Sequence, residues 1–101
     1  MVFVKVAAVS DIPIGKMLGV KAKGKAILIA NIGGKLHAMA DTCTHASCGL
    51  SRGEIEGAVV TCPCHGSRFD VRDGKVLEGP AKLPARVFDV KVDGKSILVN
   101  V

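Results

Sequence analysis

Two short stretches hold most of the residues that can bind a metal: Cys43-Thr44-His45-Ala46-Ser47-Cys48 and Cys62-Pro63-Cys64-His65-Gly66-Ser67. All four cysteines of the 101-residue chain fall in them, with two of its three histidines. Thiolate sulfur is soft and polarizable, whereas imidazole binds iron without adding negative charge. These residue types leave three readings open, namely an iron–sulfur cluster, a zinc ion or a pair of disulfides. Spacing favours the cluster. Each stretch offers one Cys-x-His or Cys-x-x-His pair plus a further cysteine, whereas zinc sites of this size usually pair Cys-x-x-Cys knuckles.

Cys43-x-His45, sixteen intervening residues and then Cys62-x-x-His65 resemble the signature of Rieske proteins. The resemblance implies one Rieske-type 2Fe-2S cluster, with Cys43 and Cys62 on the inner iron and His45 and His65 on the outer one. It extends through His65-Gly66-Ser67-Arg68-Phe69-Asp70, the turn Arg72-Asp73-Gly74, Gly79-Pro80-Ala81 and Leu83-Pro84. Those runs are similar to the small Rieske ferredoxins of bacterial ring-hydroxylating dioxygenases, in which the loop matching Gly79-Pro80 packs against the cluster.

Cys48 and Cys64 depart from that ferredoxin pattern. They stand where the high-potential Rieske proteins of quinol-oxidising respiratory complexes form a disulfide, so the resemblance implies a Cys48–Cys64 bridge, worth about 3 kcal/mol in the chain-entropy model. Ser67 matches the serine whose hydroxyl bonds a bridging sulfide in the respiratory proteins, and Phe69 stands where they carry a tyrosine. Without a phenolic donor, Phe69 cannot stabilise the reduced cluster, and the expected potential lies below the respiratory class.

A two-thiolate, two-imidazole cluster is neutral when oxidised and carries one negative charge when reduced, which suits one-electron transfer. The expected function is therefore a soluble electron carrier between a reductase and an acceptor such as an oxygenase, with no catalytic site of its own. The alternatives are a small subunit of a nitrite reductase or other redox complex and, in a different class, a zinc-binding interaction module. His37 lies outside both stretches and reads as an ordinary histidine. With His45 and His65 committed, it cannot assemble the two-histidine, one-carboxylate triad of an oxygen-activating iron site.

A net charge of +5 favours redox partners with acidic docking surfaces. The basic residues are dispersed, the densest group being Lys16, Lys21, Lys23 and Lys25, and only Phe3, Phe69 and Phe88 could stack on bases, so no nucleic-acid surface is expected. The longest apolar run, Ala26-Ile27-Leu28-Ile29-Ala30, is far short of a membrane span, and Met1-Val2-Phe3-Val4-Lys5-Val6 lacks the pattern of an export signal. A cytoplasmic monomer is expected. A disulfide is unusual in that compartment outside hyperthermophiles, unless packing shields it and lowers its potential.

The elements that must hold these loops read as strands. At 49% hydrophobic residues the chain can fill a core, and its length suits a single domain, residues 1–101. Period-two alternation marks Val2 to Val6, Leu18 to Ala22 and Phe88 to Val92, and further strands are expected at Ala26 to Ile32, Leu36 to Ala40 and Ser96 to Val101, where glycine-bearing turns reverse the chain. Asp93-Gly94 reads as the turn of a last hairpin that closes the main sheet. Helical turns are expected only at Asp11 to Gly15 and Leu50 to Ile55. The fold class is all-β, a Rieske-like antiparallel sandwich or partial barrel with a small cluster-binding subdomain at about 41–77.

Overall fold

The computed structural model describes residues 2–43, 48–64, 66–79 and 81–101. They form three antiparallel sheets and no closed barrel. No helix among them is long and apolar enough to cross a membrane.

The central sheet has the order β2 (Met17–Ala22), β3 (Lys25–Ile32), β4 (Lys35–Ala40), β9 (Val87–Phe88). Its hairpins turn through Lys23-Gly24 and Gly33-Gly34, and all four of these residues have positive φ. That is the pattern of a type I′ turn, whose twist matches the flanking strands. β3 is buried on both faces, which explains the unbroken apolar run at Ala26 to Ala30: alternation vanishes when neither face meets water. Ile27 and Ile29 point into one core with Ala38, Ile97 and Val99. Leu28 and Ala30 point into the other with Met39, Val60, Phe69, Cys43 and Cys62.

The first core is closed by the sheet β1 (Phe3–Ala8), β11 (Ser96–Asn100), β10 (Val90–Asp93), in that order. The second is closed by the sheet β5 (Glu54–Glu56), β6 (Val59–Thr61), β7 (Arg68–Asp70), β8 (Val76–Glu78). The central sheet is thus packed on both sides, and both cysteines expected to bind iron fall in the core shared with the four short strands.

Four local expectations are corrected. The last hairpin does not close the main sheet: β10 and β11 pair with β1, and only Val87–Phe88 joins the central sheet, at β4. Asp89 separates the two segments, so one apolar-alternating run serves two sheets. The turn of that hairpin is Gly94-Lys95, since Asp93 still pairs with Ser96, and Gly94 takes the positive φ that Asp93 would resist. The helical turn expected at Asp11 to Gly15 lies earlier, as a 3-10 turn at Val9–Asp11, where the Asp11 carboxylate accepts the Ala8 N–H at 2.9 Å. The second runs over Leu50–Arg52 only, because Glu54–Glu56 pairs with β6.

Candidate metal centre

The first loop leaves β4 at Ala40 and is closed at its base by Asp41. The Asp41 carboxylate accepts the Ser51 N–H at 2.6 Å and the Ser51 hydroxyl at 2.5 Å, while its own N–H donates to the Ala26 carbonyl at 3.0 Å. These bonds fix both ends of the segment carrying Cys43 and Cys48 to the central sheet. Inside the loop, the Cys43 N–H donates to the Cys48 carbonyl at 2.8 Å. Leu50, fully buried, anchors the exit. Gly19 on β2 makes room for the clamp: a Cβ there would collide with the Ser51 hydroxyl and Asp41 Oδ2.

The second loop joins β6 to β7. The Cys62 N–H donates to the Ser67 carbonyl at 2.7 Å and the Gly66 N–H to the Cys62 carbonyl at 3.1 Å, with Gly66 at a φ of +76°. A third segment, after β8, leans on it. The Ala81 N–H donates to the fully buried Ser67 Oγ at 3.0 Å, and Ala81 joins the same buried cluster as Cys43 and Cys62. Farther along, the Ala85 N–H donates to the Gly74 carbonyl at 2.8 Å. A side chain at Gly74 would run into the Ala85 carbonyl, so the return of this segment requires glycine.

The three segments bring Cys43, Cys48, Cys62, Cys64, Ser67 and Phe69 into one part of the fold. Cys43 and Cys62 are each only 2% exposed, among Leu28, Met39, Leu50, Phe69 and Val71. Cys48 and Cys64 are joined as a disulfide between the two loops, with Cα atoms 6.5 Å apart. Cys43 and Cys62 stand outside that disulfide. Phe69 is fully buried in the same core, and Gly79 lies exposed at the head of the third segment. His45, His65 and Pro80 lie outside the described residues.

The donor set fits an iron–sulfur cluster better than a purely structural role. Two cysteines outside the disulfide sit in one apolar core at the bases of two loops that a disulfide ties together, and each loop carries a histidine within three residues of its buried cysteine. The Ser67 oxygen accepts from Ala81, and a hydroxyl that accepts one bond can still donate its proton to another acceptor. A cluster sulfide supplies such an acceptor.

A second group of charges lies on β7 and β4, away from the ligand loops. The Arg72 guanidinium grips the Asp70 carboxylate with Nε at 3.0 Å and Nη2 at 2.8 Å, and the Arg72 N–H adds a third bond at 2.9 Å. The side-chain bonds from Arg72 hold the Asp70 carboxyl below the usual carboxylate range despite its burial. His37, paired with Ala30 on β3, is held below its ordinary value first by burial and then by the Lys35 and Arg72 cations, with Asp70 opposing.

Both shifts act on stability in the same direction. A carboxyl depressed in the folded state contributes stability that is complete above its unfolded pKa, about 3.9, and is lost as pH falls through the folded value. A histidine that resists protonation in the fold likewise contributes above its unfolded value of about 6.5 and loses that contribution on acidification. Denaturant midpoints of the wild-type chain should therefore fall first below about pH 6.5 and again below about pH 4. Arg72→Ala should flatten the lower step and His37→Ala the upper one; unchanged steps in these variants would show that other groups govern acid stability.

Sequence reasoning missed the Asp41–Ser51 clamp and the need for Gly19 beneath it. The only sign was an aspartate two residues before the first cysteine and a serine three residues after the last one of that loop, and no local pattern links Gly19 to either. It also missed Asn31, an amide buried in an apolar strand, whose Nδ2 donates to the Ile12 carbonyl at 2.8 Å and whose Oδ1 accepts the Gly34 N–H at 2.9 Å.

Comparisons with known proteins agree with this geometry. A model of the Rieske [2Fe-2S] domain matches residues 2–97. The ferredoxin component of biphenyl 2,3-dioxygenase from Rhodococcus jostii is 40% identical, the match covering 99% of this chain and 94% of that protein. The ferredoxin component of the naphthalene 1,2-dioxygenase system from Pseudomonas putida is 34% identical over 97% of this chain and 94% of its own length. Among solved structures, the ferredoxin of carbazole 1,9a-dioxygenase from Nocardioides aromaticivorans superposes with a TM-score of 0.93 at 33% identity, covering 98% of this chain and 97% of that one. A chain from a complex of reduced oxygenase and oxidized ferredoxin in carbazole 1,9a-dioxygenase matches at 0.91 and 35% identity, over 96% of this chain and 91% of that one. A disulfide between the two loops, a core built around two further cysteines and near full-length likeness to such ferredoxins lead to one conclusion: the chain belongs to the Rieske [2Fe-2S] domain family.

Proposed function

We propose that this protein is the ferredoxin of a multicomponent oxygenase system, a one-electron carrier that receives an electron from a reductase and delivers it to an oxygenase. The observation that carries the reading is the full-length match to ferredoxin components of dioxygenases, together with two buried cysteines in one core at the bases of tethered loops. The reading takes residues 1–101 as one Rieske domain, with its cluster-binding part at about 41–77, working as a cytoplasmic monomer. It assigns the chain no catalytic site.

In this reading Cys43 and Cys62 hold one iron of the 2Fe-2S cluster and His45 and His65 hold the other. When bound, the cluster takes up and gives back a single electron within the broad Rieske range of about −150 to +300 mV. The chain's own residues determine where in that range it works. Burial of Cys43 and Cys62 keeps water from the sulfur side of the site. Ser67, oriented by the Ala81 amide, donates its hydroxyl proton toward a sulfide and favours the reduced state. Phe69 contributes shape but no donor. Resemblance to the dioxygenase ferredoxins assigns Gly79 and Pro80 to a loop that packs against the cluster, and the Cys48–Cys64 disulfide joins the two ligand loops.

Redox titration of the purified holoprotein tests the reading. We expect a reversible one-electron wave below the respiratory class of Rieske proteins. Phe69→Tyr is expected to raise the potential by roughly 60–120 mV, the effect of one added hydrogen bond to a charged acceptor. A chain with no reversible wave would contradict the carrier role, and a potential unmoved in Phe69→Tyr would remove Phe69 from the tuning account. The net charge of +5 supports acidic docking faces on the partners. Electron-transfer rates to the oxygenase should accordingly fall as ionic strength rises, and rates indifferent to salt would exclude that mode of docking.

A further inference from the structure

The sulfur atoms of Cys48, Cys62 and Cys64 all lie within 4.8 Å of one another. Two of them form the disulfide, and the third belongs to a cysteine outside it, buried in the core. Three thiolates around a tetrahedral zinc at about 2.3 Å stand about 3.8 Å apart, so opening the disulfide leaves the trio within reach of that geometry after small movements. We propose that this chain has a second, redox-gated metal site: with the disulfide reduced, Cys48, Cys62 and Cys64 bind a thiophilic closed-shell cation of the zinc type, in competition with the cluster for Cys62.

The surroundings suit such a site. Cys64 is exposed and Cys48 half-buried, and both line an open groove of about 640 Å³ with Thr42, Pro63, Lys21 and Arg52. An ion can therefore reach Cys48 and Cys64 from solvent, with Cys62 meeting it from the core side, and water from the groove can complete the fourth position, as it does in zinc sites with three protein ligands. Three thiolates on a divalent cation leave one net negative charge, in a groove that Lys21 and Arg52 also line. The remaining acid of the groove, Asp41, has both oxygens engaged by Ser51.

The chemistry balances without further components. A dithiol or a phosphine gives two electrons to the disulfide; Cys48 and Cys64 each gain a proton, and the reductant closes to its own disulfide or takes oxygen from water. Binding then releases the thiol protons as three sulfur–metal bonds form. With the disulfide closed, two of the three donors are absent, so in this chain the bridge reserves Cys62 for the cluster as well as joining the loops.

The experiment uses the full-length protein as purified. It is treated with a phosphine, with reduction of Cys48 and Cys64 verified by mass, then exposed to Zn²⁺, desalted and assayed for zinc, iron and visible absorbance. We expect about one zinc per chain after phosphine and Zn²⁺ together, with matching loss of the cluster absorbance, and less than about a tenth as much after Zn²⁺ alone. The Cys48→Ser/Cys64→Ser variant should retain no more zinc than the unreduced protein. A readout independent of that variant's folding is alkylation of the wild-type protein, in which bound zinc should protect Cys48, Cys62 and Cys64 together. Equal zinc retention in the double variant, or protection of Cys43 and Cys62 without Cys48 and Cys64, would overturn the proposal by placing the metal on the cluster ligands. So would absence of zinc from verified reduced protein. The carrier reading fails separately, if the purified protein holds no iron and sulfide whatever its zinc content.

Discussion

Alanine at Cys43 or at Cys62 is expected to give a colourless protein that retains less than about a tenth of the wild-type iron and acid-labile sulfide. Both cysteines are almost without solvent contact in one core, so water cannot take their place on the metal, and the neighbouring Cys48 and Cys64 sulfurs are committed to their disulfide. Alanine at Cys48 should behave differently, because the disulfide cysteines hold the loops and are not assigned to the cluster. Iron and sulfide assays on the three variants separate the roles. A Cys62→Ala protein with full iron content would contradict the ligand assignment, and a Cys48→Ala protein entirely without iron would merge the two roles.

Replacing both Cys48 and Cys64 with serine should lower stability by about 3 kcal/mol, since a closed loop of that length restricts the unfolded chain by this amount in the entropy model. The two residues are separated by 16 positions, and their bond ties the first ligand loop to the second. For a domain of this size the loss corresponds to a fall in melting temperature of roughly 12–24 °C, readable by calorimetry of oxidised protein. The iron-bound state should also lose its cluster faster, because the Asp41–Ser51 clamp would then secure the first loop alone. A melting temperature within a few degrees of wild type would show that the cluster and the core already hold the loops without the bridge.

Much of the site was legible because its chemistry is local in sequence. Cys43-x-His45 and Cys62-x-x-His65 each place two donors on one short loop, and the further cysteines mark the bridge by resemblance to respiratory Rieske proteins. The turns were legible for a related reason, as Gly24, Gly33, Gly34 and Gly94 supply positive φ wherever the chain reverses tightly. Partner choice among strands was less so. Phe88, Val90 and Val92 alternate as one strand, yet the chain changes sheets at Asp89, which depends on what β4 and β11 offer at either side and not on the segment itself. Long-range polar contacts were hidden for the same reason. Gly19 matters because Asp41 and Ser51 approach it from residues distant in the chain, and Asn31 looks misplaced in a buried strand until the Ile12 carbonyl is seen to need a donor.

Pulsed electron paramagnetic resonance of the dithionite-reduced holoprotein tests the mixed ligation most directly, because hyperfine coupling reports which nuclei are bonded to the cluster. The account predicts two strongly coupled imidazole nitrogens, one of which disappears in His45→Cys and one in His65→Cys. A reduced cluster with no directly bonded nitrogen would contradict it.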